Sequence, residues 1–149
     1  MSRARVETVL AELARDWELS DLALDDNDFF CLQTADGVLV NIDYFEQDDA
    51  LAFYTTVCRV PAEAGGEIYQ VLLESNCDWA ETAGGTLALD PTSEFVLLTA
   101  ALPAATLDLT TLAGQVETLA QSAIGFKSFI ASLVDGAPGE SSQETADFA

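Results

Sequence analysis

The sequence predicts an α+β domain in the order αβββαββα, a twisted antiparallel sheet with helices packed on it. Two observations lead there. Apolar residues recur at helical spacing in three segments, and between these run short stretches of period-two alternation closed by turn chemistry. Strands gathered in hairpins and separated by helices give an antiparallel sheet rather than a parallel one.

The first helix is expected over 3–18, where Val6, Val9, Leu10, Leu13 and Trp17 fall on one side and Glu7, Glu12, Arg15 and Asp16 elsewhere. Asp25-Asp26-Asn27-Asp28 ends that pattern, and three strands follow at 29–35, 38–45 and 50–60. Asp36-Gly37 joins the first two as a hairpin, and Gln47-Asp48-Asp49 turns into the third. In the second strand Val38, Val40 and Ile42 point one way, Asn41 and Asp43 the other. In the third, Phe53, Thr55 and Val57 oppose Tyr54, Thr56 and Cys58.

After the loop 61–66, a second helix is expected over 67–79. Ile68, Val71, Leu72 and Trp79 form one stripe, and Tyr69, Leu73 and Asn76 widen it to a second side. A helix apolar on two sides must be buried on two sides, and in so small a domain the second burial fits another subunit. Thr82-Ala83-Gly84-Gly85 leads to a hairpin of 86–90 and 94–102 across Asp90-Pro91-Thr92-Ser93, which has type I turn chemistry. Thr106 or Asp108 can cap a last helix to about 134. Its apolar steps at Leu109, Leu112, Val116, Leu119, Ala123, Phe126, Ile130 and Leu133 fit a helix lying across a sheet better than a coiled coil, since flanking charges are few. The chain therefore divides into one domain, 1–134, and an acidic tail, 135–149, whose Gly, Pro, Ser and Glu content predicts disorder.

Composition narrows the partners. The 149 residues are 50% hydrophobic with a mean hydropathy of +0.22, enough for a core. Against 26 acidic residues stand 5 basic ones, a formal charge of -21. Phosphates and anionic membranes would be repelled, so neither nucleic acid nor a membrane is an expected partner. A charged partner surface should be neutral or basic, although solubility alone could also account for the charge. No apolar run approaches the ~20 residues of a membrane span, and the N-terminus is no signal-peptide core, which together read as a cytoplasmic protein.

Chemistry finds little purchase. There is no His, so the usual Ser-His and Cys-His pairs are out, and no Gly-x-x-x-x-Gly-Lys loop surrounds the only lysine, Lys127. Cys31, Cys58 and Cys77 have no metal-ligand spacing and read as buried free thiols. Asp25, Asp26 and Asp28 lack the Gly and closing Glu of an EF-hand. The expectation is therefore no catalytic residue, no metal site and no cofactor.

One conjunction is more specific. Leu72-Leu73-Glu74-Ser75-Asn76, Thr82-Ala83-Gly84-Gly85, Leu87-Ala88-Leu89-Asp90 and Phe95-Val96-Leu97-Leu98, in that order, resemble the Tir-chaperone family, the class I type III secretion chaperones. The resemblance covers roughly 3–134. It implies a bacterial, cytoplasmic, ATP-independent homodimer that holds the N-terminal segment of a secreted effector in secretion-competent form. It implies subunit contact through Tyr69, Leu72, Leu73, Asn76, Leu87 and Leu89. Strand alternation proposes the effector surface: Leu39, Asn41, Tyr54 and Thr56 facing outward, flanked by Val6, Leu10 and Leu13 unless those three seal the core. A regulatory or adaptor domain of the same fold, binding a folded partner, is the rival reading; a small enzyme is the third.

Overall fold

A computed structural model describes residues 2–20 and 22–136. Its elements follow the expected order: α1 (Arg3–Asp16), β1 (Phe29–Gln33), β2 (Leu39–Phe45), β3 (Ala50–Arg59), α2 (Gly65–Cys77), β4 (Thr86–Leu89), β5 (Phe95–Pro103) and α3 (Leu109–Gly136). A 3-10 turn, Ala62–Ala64, leads into α2. The strands make one antiparallel sheet in the order β1-β2-β3-β5-β4. The expected tail beyond the last helix lies outside the described residues.

Alternation decides which face is core. Val40, Ile42 and Tyr44 of β2, Leu51, Phe53 and Val57 of β3, and Val96 and Leu98 of β5 are buried, and their neighbours point the other way. The stripe Leu112, Val116, Leu119, Ala123, Phe126 and Ile130 of α3 closes over that face, with α1 and α2 beside it. Burying such side chains contributes about 1.5–3 kcal/mol each, which makes this single layer the source of stability.

Local chemistry sets the boundaries. α1 stops at Asp16, two residues short of the expected end, because the chain enters a Schellman turn. The Leu19 N–H donates to the Ala14 carbonyl at 2.8 Å, and Glu18 takes the left-handed conformation at φ 54°. Asp108, of the two proposed caps, accepts the Thr111 N–H at 2.7 Å and starts α3. Asp90 accepts from Thr92 and Ser93 and holds the β4–β5 turn, as its sequence predicts. At the α2–β4 loop both glycines are needed. Gly84 sits at φ +82°, and a Cβ on Gly85 would come within 2.9 Å of the Thr99 carbonyl oxygen.

Several expectations are corrected. α2 ends at Cys77, so Trp79 lies in the following turn and is 73% exposed rather than part of the helical stripe. A β-bulge between Thr56 and Cys58 pairs Cys58 with the inward Val96, which turns Cys58 toward the core side, not outward with Tyr54. The thiols of Cys31 and Cys77 are exposed rather than buried. α3 runs two residues past the expected end of the domain.

One polar node ties the amino end to the sheet. The Asp49 carboxylate accepts from the Ser2 backbone N–H at 3.1 Å, the Ser2 hydroxyl at 2.8 Å and the Tyr44 hydroxyl at 2.8 Å. Those donors hold its pKa below the usual carboxylate value. Asp90 and Asp108 are lowered in the same way by their turn and cap donors. A carboxyl with a depressed folded pKa stabilises the fold above its unfolded pKa and loses that contribution as the pH falls through the folded one. Acid should first relieve the self-repulsion of this chain, then unfold it below the ordinary carboxylate range. Asp49→Asn should lower the thermal midpoint at neutral pH and flatten that last acid limb, followed by circular dichroism. An unchanged limb would show that the node contributes nothing.

Candidate functional site

All the helices described lie over one side of the sheet, so the opposite side is bare. Its rows can be read from the register. Cys31, Asn41, Tyr54, Thr99 and Thr86 stand in line across all five strands, and Phe29, Asp43, Ala52 and Ala101 form the next row. Leu39 is 55% exposed and Phe45 49%. The face is nearly uncharged: Asp43 is its only strand carboxylate among the described residues. Arg59, its only strand cation, sits at a corner and pairs with Glu94. In a chain of charge -21 that is a departure from the remaining surface.

The structure places Leu39, Asn41, Tyr54 and Thr56 on this face, in two adjoining depressions. Leu39, Asn41 and Thr56 line a cleft with Ile124 and Lys127 of α3. The cleft exists because β2–β3 pairing stops at Asn41–Tyr54; beyond it the Thr55 hydroxyl donates to the Leu39 carbonyl at 2.7 Å in place of a ladder bond. Tyr54 lines a second hollow with Asp43, Phe45, Ala52 and Thr99, bounded by Gly84 of the α2–β4 loop. Burial on the sheet raises the Asp43 pKa; hydrogen bonding from Tyr54 opposes this and the Asp25 charge adds to it. Tyr54 is raised in turn, by burial first and by Asp43 next.

Val6, Leu10 and Leu13 are a correction. Each is fully buried under α3 and the inner sheet face, because the apolar stripe of α1 is the only one that can close that side of the core. They seal the domain and offer no surface to a partner.

The second surface is formed by α2 and β4, which pack against each other. Ile68, Leu72 and Leu87 are buried by their own chain, and Tyr69 packs half-buried against the core. Leu73 is 69% exposed and Leu89 45%. Of the apolar residues expected at a subunit contact, these two are therefore open to water, while Leu72 and Leu87 support them from beneath. Asn76 has an intrachain task. Its side-chain amide N–H donates to the Leu87 carbonyl at 2.9 Å, and its amide oxygen accepts the Leu87 N–H at 2.8 Å. It occupies the outer edge of β4 as a neighbouring strand would.

Sequence reasoning missed Asp43, Phe45 and Ile124 as site residues. For Asp43 and Phe45 the signal was present, since they continue the Asn41 alternation. Ile124 lies off the apolar stripe of α3, and only the splayed strands bring it near Leu39.

Among the described residues no group of His, Cys, Asp and Glu could hold a metal ion, and no helix is long and apolar enough to cross a membrane. The model of the Tir chaperone protein (CesT) family matches residues 8–127. A chain of the ExsC-ExsE complex is 22% identical over 86% of this chain and 95% of its own, with a TM-score of 0.76. A chain of the HopA1-SchA chaperone-effector complex is 20% identical over 86% and 97%, with a TM-score of 0.71. The complex of the Yersinia pestis type III secretion chaperone SycH with a stable fragment of YscM2 gives 17% identity over 80% and 97%, and a TM-score of 0.63. At these identities the likeness is one of fold. No curated protein matches the chain in sequence.

Asn76→Ala should cost about 1–3 kcal/mol in urea unfolding, because it leaves a backbone donor and acceptor of β4 without their partner. Amide exchange at Leu87 should accelerate in the same variant. Unchanged exchange there would mean that β4 does not depend on Asn76.

Proposed function

The chain belongs to the Tir chaperone protein (CesT) family, and from that premise we propose that it is a type III secretion chaperone of the bacterial cytoplasm. It acts as a homodimer, without ATP, and holds the N-terminal non-globular segment of a secreted effector on the bare face of its sheet. The observation that supports this most is the face itself: a broad, nearly uncharged surface with Leu39, Phe45 and Tyr54 on an otherwise highly acidic molecule. An extended segment offers alternate side chains to such a surface, and the two depressions give those side chains places to go. Escort of an unfolded segment needs no chemistry. The family is one of chaperones, not enzymes.

The exposed pair Leu73 and Leu89 is assigned to the contact between subunits. A hydrophobic pair on a packed helix–strand unit is costly in water and is covered when a second copy presents the same unit. Leu73→Asp should leave the single-chain fold intact, because Leu73 is mostly exposed there, yet give a monomer by light scattering at micromolar concentration. A dimeric variant, or a monomeric unmutated protein, would remove that assignment.

Leu39→Ala with Tyr54→Ala should keep the dimer and its thermal midpoint while weakening co-purification with candidate effector segments. Loss of interface anchors typically costs about 1–4 kcal/mol, roughly fivefold or more in affinity. Normal capture would place the effector elsewhere. Capture of folded effector domains with no affinity for the segment alone would replace escort by regulation.

A further inference from the structure

The hollow around Tyr54 has a chemistry that a surface for apolar side chains alone does not need. Asp43 lines it from within one sheet face, with Tyr54 hydrogen-bonding its carboxylate and Phe45 in the same hollow. Phe29 is its cross-strand partner on β1, half-buried on the same face. Asp25, which caps the edge of β1 by accepting the Phe29 N–H at 3.0 Å, adds a second negative charge felt at Asp43. Of the five basic residues, Arg3 pairs with Glu7 and Asp28, Arg5 donates to the Leu107 carbonyl, Arg15 lies in the last turn of α1, Arg59 pairs with Glu94, and Lys127 lines the adjoining Leu39 cleft. Among the described residues, none of these ion pairs and hydrogen bonds involves Asp43.

A carboxylate framed by aromatic rings suits a planar cation. A guanidinium can stack on a ring while its fork of N–H groups meets the carboxylate, whereas an ammonium gains only the point charge. We propose that Asp43, with Tyr54 and Phe45, is an arginine-reading subsite, and that the bound segment places one arginine there between its apolar anchors. This deepens the reading of the bare face as the effector site and rests on it. Burial already raises the Asp43 pKa, so the ionised carboxylate is poorly solvated on its own and gains from an incoming cation more than a fully hydrated one would. The subsite sets register: an arginine that must meet Asp43 fixes which side chains of the segment enter the Leu39 cleft.

The test must separate a local contact from the general pull of a -21 molecule on any basic peptide. The probe is a set of fluorescein-labelled extended peptides, each with two leucine anchors and a single arginine moved along the sequence. Each has a citrulline twin of nearly the same shape and no charge. Anisotropy titrations use the full chain, its Asp43→Asn variant, and Asp48→Asn, which makes the same charge change in the exposed β2–β3 turn. The expected result is one register at which citrulline weakens binding on the order of tenfold. That loss should vanish in Asp43→Asn and persist in Asp48→Asn. Equal behaviour of the two variants, or a citrulline effect spread evenly over all positions, would overturn the subsite. If peptides bind, and Leu39→Ala with Tyr54→Ala weakens them, but citrulline costs nothing anywhere, only the arginine subsite falls. If no peptide binding responds to Leu39→Ala with Tyr54→Ala, the bare face itself is not the site and the subsite falls with it.

Discussion

A five-stranded sheet has two faces, and this chain has apolar helical surface for only one of them. That inequality governs the rest of the structure. α3 supplies a single long stripe, α1 and α2 extend it on either side, and Val6, Leu10 and Leu13 are consumed in the closure. Every second residue of every strand is then left on a face that no part of the described chain covers. A monomeric domain that needed only solubility would fill such a face with charge, and this sequence has charge in abundance. Among the described residues its carboxylates, Asp43 apart, are placed instead in turns, on helices and along loops, while the face keeps Ala, Thr, Leu, Tyr and Phe. The distribution is more informative than the total: among the described residues the acidic side chains gather away from this face, with Asp43 the exception.

A sheet so exposed also has edges to manage, and both are handled by the same device. At β4 the Asn76 amide pairs with both backbone groups of Leu87. At β1 the Asp25 carboxylate accepts from the Phe29 N–H, while the Asp25 N–H donates to the Phe29 carbonyl at 2.9 Å. In each case one Asx residue imitates a neighbouring strand over a single residue, which blunts the edge without extending the sheet. The face can then stay apolar without the edges recruiting further strands indiscriminately. For α2 the consequence is a division of labour. Leu72 and Asn76 face their own chain, and Leu73, one step round the helix, is left open to water.

Most of the fold was legible because its signals are local. Helical steps of three and four, period-two strands, Asp36-Gly37 and Asp90-Pro91-Thr92-Ser93 each act within a few residues, and each element appeared in order. The misreadings fall where a turn or a strand pairing interrupts the repeating pattern. Alternation carried through Thr56 points Cys58 outward, and only pairing with β5 reveals the bulge that reverses it. Spacing puts Trp79 on the helical stripe, but the helix ends at Cys77 and the Trp79 carbonyl accepts the Gly84 N–H at 2.8 Å in the turn that follows. Val6, Leu10 and Leu13 could have served either core or surface, and the choice depends on how much apolar area the other helices bring. The outward positions of Leu39 and Tyr54 needed only the parity of their strands. Their separation into two depressions depended on where β2 and β3 part, which no local pattern encodes.

Long-range and short-range electrostatics act differently on such a surface. The net charge attracts a basic segment from a distance, but ions screen that attraction beyond about 10 Å at 0.1 M salt, and it carries no information about register. A carboxylate set within a poorly solvated face behaves otherwise. Its interaction with a cation is short-ranged, less screened and dependent on geometry, because neighbouring side chains have already displaced part of its water. The net charge therefore governs how fast a segment arrives and how the encounter varies with salt, while the proposed Asp43 subsite governs where the segment stops. An extended chain needs that second function more than a folded partner does. A folded partner brings a rigid surface that fits in one way, whereas a strand-like segment can slip by two residues and present nearly the same apolar pattern. One charged contact in an otherwise uncharged face breaks that degeneracy.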